Sequence, residues 1–309
     1  MALQGAMAQV DGMTGASVQT KETSCGASCS ATCCKKTHNT PACQLLDRLK
    51  KLQKRGIMLG HQDDPVYGTT WKWEEGKSDV LLTTGDYPAA WLDKVADFIN
   101  SLKTADGKKI PVIFRPWHEM NGGWFWWGAK SCTPAEYNNL FVMTVKHLQK
   151  AGCDNIVWAW SPNLSDKKTI EAFMERYPGD DYVDLMGVDI YEFDNDDANY
   201  QSNLKGTLDI LVQAAKQQGK LAALTETGCR GISKKTDWFT KILYPVLKSY
   251  PLSYVLFWRN AWDKPQEEAY LPGINDGIIV KDFQKLKAEK KILFAKDLCK
   301  GKKGKKVKR

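Results

Sequence analysis

Short apolar runs alternate with amphipathic stretches along most of this chain. The runs are "IMLGHQDD", "DVLLTTGDYPAA", "IPVIFRPWHE", "NIVWAWSPN", "VDLMGVDIY", "LAALTETG" and "YVLFWRNA". Each is a few β-rich residues ending in polar, charged or aromatic ones, which predicts buried strands. Between them, "WLDKVADFINSLK", "AEYNNLFVMTVKHLQKAG", "LKGTLDILVQAAKQQG" and "TDWFTKILYPVLKSY" carry apolar residues at helical spacing. A further helix, "LLDRLKKLQKRG", precedes the first run and stops at Gly56. Sustained strand–helix alternation predicts an α/β fold with a parallel sheet.

Two parallel architectures compete. A doubly wound sheet usually carries a glycine-rich phosphate loop after its first strand. Here "GHQDD" follows, and no G-x-G-x-x-G or Walker pattern occurs. A (β/α)8 TIM barrel instead places functional residues at the C-terminal ends of many strands. Asp63, Asp86, Glu119, Asn163, Tyr191, Glu226 and Arg259 all lie at or just past a predicted strand end. The barrel is the better fit, but it is one strand short: seven are recognisable, and "GDYPAA" runs directly into the next helix.

The flanks differ from this body. The first 43 residues lack hydrophobic periodicity and read as a disordered or loosely stapled, Cys-rich segment. The barrel domain is expected over 44–299 and a basic disordered tail over 300–309. The net charge of +8 over 309 residues comes mostly from that tail, whose ten residues carry seven positive charges. The body is therefore nearly neutral, and a nucleic-acid partner is not expected.

Five of the nine cysteines, Cys25, Cys29, Cys33, Cys34 and Cys43, cluster near the N-terminus. They suit disulfides in an oxidising compartment or free thiols. With His38 a soft metal is the alternative, although the spacing matches no familiar zinc pattern. No run of about 18 apolar residues predicts a membrane span. Ala6-Met7-Ala8 resembles the end of a secretory leader, but the N-terminal stretch does not read as a complete one.

The chemistry concentrates at strand ends. Glu119 closes "VIFRPWHE" and Glu226 closes "LAALTE"; in a barrel both reach one mouth despite their distance in sequence. Paired carboxylates can serve glycoside hydrolysis, one as proton donor and one as nucleophile or base. They can also form structural ion pairs. Twelve tryptophans add flat surfaces of the kind that bind sugar C–H faces. For Trp124 and Trp258, beside charged strand ends, a sugar contact is the preferred reading; for Trp117, Trp126, Trp127 and Trp262 core packing is preferred. His118 begins "HEMNG", not H-E-x-x-H, so no catalytic zinc is expected. It reads as a hydrogen-bonding residue or a structural histidine. No G-x-S-x-G elbow is present.

The blocks "GHQDD", "SDV…TGDYPA", "FRPWHEMNGGWFWWG", "RYPGDDYVDLMGVDIY", "ALTETG" and "VLFWRNA" together resemble the β-mannanases of glycoside hydrolase family 26, from about residue 44 to residue 285. The resemblance implies a (β/α)8 barrel with catalytic glutamates on its fourth and seventh strands. Glu119 matches the acid/base and Glu226 the nucleophile. Tyr191 matches the tyrosine that hydrogen-bonds the nucleophile. His118, Trp124, Trp258 and Arg259 match residues lining the subsite at the cleaved bond, with Arg259 expected to help orient Glu226. No metal or organic cofactor is implied.

By the same resemblance the activity is endo-hydrolysis of β-1,4-mannosidic linkages with retention. Mannan or its oligosaccharides would be the substrate, and the protein a secreted monomer. Family members normally carry a third strand after the "GDYPA" block, and this chain lacks that segment. Two alternatives stay open: a related β-glucanase or β-1,3-xylanase, and a carbohydrate-binding barrel whose catalysis is impaired by the missing unit.

Overall fold

The computed structural model describes residues 40–54, 57–61, 87–260, 268–273 and 276–294. Its strands are β1 (Ile57–His61), β2 (Val112–Phe114), β3 (Ile156–Trp160), β4 (Leu185–Glu192), β5 (Leu221–Cys229), β6 (Tyr254–Phe257) and β7 (Ile292–Leu293). They lie in the order β2-β3-β4-β5-β6-β1-β7, every neighbouring pair parallel. Among the described residues β2 and β7 end the sheet without meeting. The architecture is a curled, incomplete parallel sheet, a barrel lacking a segment.

The strands described are not the set expected. The run around 79–86 lies outside the described residues, as do Asp63, Asp86 and Trp262. The two-residue β7 carries no pattern long enough to announce itself. At the shortened connection, helix α2 (Tyr87–Ser101) runs unbroken through the junction where the resemblance implied a further strand. Tyr87–Ala90, read above as the tail of a strand run, form its first turn.

The other helices are α1 (Pro41–Gln53), α3 (Pro134–Lys150), α4 (Ile170–Met174), α5 (Asp197–Gln217), α6 (Tyr244–Leu247) and α7 (Ile278–Ala288). Caps set several of their starts. Thr133 and Glu136 form a reciprocal capping box on α3. The Asp196 side chain accepts the Asn199 N–H, so α5 begins well before its apolar pattern does. "TDWFTKILYPVLKSY" is not one α-helix: Trp238–Leu243 is π-helical and α6 follows. Pro245 lacks an N–H and its ring crowds the carbonyl four residues back, which disfavours a regular α-helix there.

Strand alternation divides the core. Val157, Ala159, Leu185, Leu221 and Ala223 point into the curl, where Ala42, Leu46 and Leu49 of α1 pack against them. The spacing 42, 46, 49 puts these three residues on one helical face, so α1 closes the floor of the sheet. The opposite faces, with Met186, Val188, Ile190 and Leu224, join the larger core under the outer helices. Cys132, Cys153 and Cys229 are buried free thiols within that larger core. Of the N-terminal cysteine cluster only Cys43 is described, and it is disulfide-bonded. No described helix is long and apolar enough to cross a membrane.

Candidate active site

The site is built at the C-terminal ends of β2, β3, β4 and β5. Pro116, with no N–H to donate, limits β2 to three residues. The chain then turns through left-handed conformations at Trp117 and Glu119, both at φ 54°. Non-glycine residues rarely adopt this region, and such strain concentrates at functional sites. The turn is held by Glu119 N–H donating to Ser161 C=O at 2.8 Å, Tyr137 hydroxyl to Trp117 C=O at 3.1 Å, and Trp117 Nε1 to Thr144 Oγ1 at 2.9 Å.

Glu226 reaches the same point by a different device. Simple alternation along β5 would aim it outward with Ala222 and Leu224. Pairing with β4 shifts instead: Val188 faces Leu224 and Asp189 faces Glu226, leaving Thr225 extra. This bulge turns Glu226 inward. The Thr225 hydroxyl is bonded to Asp189 Oδ1 at 2.6 Å and lies 3.0 Å from Val188 C=O. Space for Thr225 comes from Gly187, where a Cβ would sit 2.3 Å from Thr225 Cγ2.

Oxygens of Glu119, Asp189 and Glu226 consequently lie within 4.8 Å of one another. β2 and β5 are three strand steps apart, roughly 14 Å in a flat sheet. The sheet's curl brings the two glutamates together. Arg115 supplies the cation among these carboxylates. Its guanidinium donates to Ser161 Oγ and Asp189 Oδ2, each at 2.9 Å, and to Glu226 Oε1. The Tyr191 hydroxyl donates to Glu226 Oε2. Each oxygen of Glu226 thus has a dedicated donor.

Among the described residues Glu119 has only neutral donors: Trp124 Nε1 to Oε2 at 2.8 Å and Asn163 Nδ2 to Oε1 at 2.7 Å. Asn121 clasps the Asn163 backbone, donating to its C=O at 2.8 Å and accepting its N–H at 2.7 Å. Burial, followed by the Glu226 carboxylate, pushes the Glu119 carboxyl above its usual range against the pull of Trp124, Arg115 and Asn163. Burial raises Asp189 as well, with Arg115 as the chief opposing influence. Tyr191 is raised well above an ordinary phenol by burial and by Glu226, so it stays a hydrogen-bond donor. Three carboxylates share one guanidinium here. Burial pushes both Glu119 and Asp189 up, and of the three carboxylates Glu119 is the one without a cationic hydrogen-bond partner among the described residues.

The tryptophans divide sharply. Trp117 packs against Trp91, Trp126 and Trp127 with ring centroids 5.3–5.7 Å apart, as core. Trp124 is 59% exposed even though its indole N–H binds Glu119. Gly122 lies under that indole, where a Cβ would come within 2.4 Å of the ring. The His118 ring lies beside Phe125 and Trp127, and its C=O accepts the Trp127 Nε1–H at 2.8 Å. Burial and the nearby Arg115 hold its imidazole well below the usual histidine range, hence neutral.

Trp258 stands edge-on to Tyr191 at 6.5 Å. Arg259 does not take the place expected of it: it pairs with Glu268 at 3.2 Å, a carboxylate nine residues on, and Arg115 holds Glu226 instead. Arg115 and Asp189 escaped the sequence reading. Their signal was a charge embedded in an apolar strand run, which burial permits only when it is paired.

The chain matches the model of glycosyl hydrolase family 26 over residues 82–276. It is 29% identical over 242 residues to a mannan endo-1,4-β-mannosidase of Bifidobacterium adolescentis, covering 72% of this chain and 24% of that protein. It is 30% identical over 220 residues to a mannan endo-1,4-β-mannosidase of Bacillus subtilis, covering 68% of this chain and 54% of that one. The chain thus spans a quarter to about half the length of these relatives. Among solved structures, a GH26 β-mannanase from Bacteroides ovatus superposes with a TM-score of 0.72 at 34% identity, covering 83% of this chain and 95% of that one. With the family model spanning more than half of the sequence, the chain belongs to glycosyl hydrolase family 26.

Proposed function

We propose that this protein hydrolyses internal β-1,4-mannosidic linkages with retention of configuration. Glu226 is the nucleophile and Glu119 the acid/base. The observation that carries this reading is the asymmetry of the pair. Glu226 is held by Arg115 and Tyr191, whereas Glu119 is held by neutral donors and raised toward its protonated form. Glu226 attacks the anomeric carbon while Glu119 protonates the leaving oxygen. Glu119 then takes a proton from the water that releases the sugar. Oxygens within 4.8 Å match the close spacing of retaining pairs and fall short of the roughly 6.5–9.5 Å at which inverting pairs place an attacking water.

Trp124, exposed beside the proton donor, faces the leaving-group sugar. His118, Trp258 and Arg259 line the rest of the mouth in this proposal. The substrate is a mannan, galactomannan or glucomannan. Because such polymers are extracellular, the protein would be secreted, with 44–299 as its catalytic unit; a single chain holds both glutamates, so it would act as a monomer. The incomplete barrel favours a second reading, a mannan-binding protein with impaired turnover.

Reducing-end release from soluble galactomannan separates these. Wild type should cleave it, with the β-anomer as first product by proton NMR. Glu119→Ala and Glu226→Ala should each lose roughly 100-fold or more. Near-wild-type turnover by either variant would refute the assignments. Binding of mannan oligosaccharides without cleavage by wild type would establish the second reading.

A further inference from the structure

Tyr191 aims its hydroxyl at Glu226 from a ring whose angle is set by its neighbours. Phe193 stacks on it at 5.3 Å and 23°, and Tyr270 stands edge-on at 5.5 Å and 62°. Phe193 is an unusual support. Two residues past Tyr191 and 50% exposed, it gains little from its own burial. What steadies it is Arg230, whose guanidinium carbon lies 4.5 Å from the ring centroid, a cation–π contact.

Arg230 also lies near Tyr270, where its charge pulls the phenol down against burial, and its backbone N–H donates to Glu192 C=O at 2.9 Å. Tyr270 is seated over Gly228 at φ 154°, where a Cβ would stand 2.6 Å from its Cδ1. One exposed arginine therefore sits on one of the rings that flank Tyr191 and close to the other.

We propose that Arg230 and Phe193 are positioning residues, holding the Tyr191 ring at the angle where its hydroxyl meets Glu226. The inference rests on reading Glu226 as the nucleophile. Neither residue needs to touch substrate. Their effect passes through Tyr191, so it must vanish when the Tyr191 hydroxyl is removed.

Two measurements test this on the full chain. In protein labelled with 3-fluorotyrosine, the Tyr191 fluorine resonance is assigned by its loss in Tyr191→Phe. Arg230→Ala and Phe193→Leu should each shift and broaden it, and Arg230→Lys should restore it in part. A Tyr191 resonance that both variants leave unmoved overturns the proposal, whether or not the protein turns over mannan.

Kinetics on galactomannan form the second arm. Arg230→Ala should lower kcat about tenfold with KM nearly unchanged, because a misaimed group costs the transition state more than binding. The same substitution in Tyr191→Phe should change kcat less than about twofold, since the coupling has been removed. Equal losses in both backgrounds overturn the proposal. So does a raised KM with kcat preserved, which would make the pair a sugar contact. Absence of any wild-type turnover refutes the proposed activity and leaves the fluorine result to decide the positioning.

Discussion

Trp124 is bound to Glu119 by one hydrogen bond and is mostly exposed, so its effect on that carboxyl can be isolated. The indole N–H favours the charged carboxylate and thus pulls the Glu119 carboxyl down, against burial and Glu226, which push it up. Trp124→Phe keeps an aromatic face and removes only the donor. The carboxyl should then rise further and remain protonated to higher pH. We expect the alkaline limb of the kcat–pH profile to move to higher pH; a limb that stays put, or moves down, would show that Glu119 is not the proton donor. At this scale the sequence was informative where a residue type is rare. A carboxylate at a strand end, followed by tryptophans, pointed to Glu119 and Trp124. It was uninformative where function depends on which of two arginines arrives. Arg259 and Arg115 both sit near strand ends, and only the fold shows Glu268 capturing one and the Asp189–Glu226 pair the other.

Among the elements, β4 and β5 carry the decisive irregularity. Period-two alternation, the basis for assigning faces to strands, would have pointed Glu226 into the outer helices. The bulge at Thr225 reverses this, and nothing in "LAALTETG" announces it except the glycine opposite. Gly187 on β4 leaves the volume that Thr225 occupies. Gly187→Ala should therefore drive Thr225 off Asp189, costing about 1–3 kcal/mol of stability as overpacking does. Because Thr225 and Arg115 both hold Asp189, kcat should fall with it, by roughly tenfold. Urea unfolding and galactomannan turnover read the two effects. Unchanged kcat in a destabilised variant would mean the bulge serves packing alone. Helices were easier to foresee than their ends. Apolar spacing located α2, α3 and α5, but caps and Pro245 set where regular helix begins and fails, and these act through single residues outside the period.

For the whole molecule, the consequence of the missing segment falls on β2. In a closed barrel this strand would be paired on both sides. Here, among the described residues, it pairs only with β3, and its Val112, Ile113 and Phe114 are half-buried where β3 is buried throughout. Val112 N–H donates to Asn155 C=O at 2.8 Å, so alternation aims the Ile113 amide at the open side. Glu119 follows directly from this strand, and the hydrogen bonds that fix it come from β3 and its loop, through Ser161 and Asn163, and from Trp124. Local opening of a sheet edge takes less free energy than global unfolding. The site should therefore loosen before the fold does. In native-state hydrogen exchange the Ile113 amide should exchange faster than Val112 by more than about tenfold, or ~1.4 kcal/mol of opening free energy. On heating, galactomannan turnover should be lost at a lower temperature than the far-UV circular dichroism transition, which reports the fold as a whole. Equal protection of Ile113 and Val112, with coincident loss of turnover and circular dichroism, would show that β2 is as firmly held as the interior strands. The missing unit would then have left no weakness at Glu119.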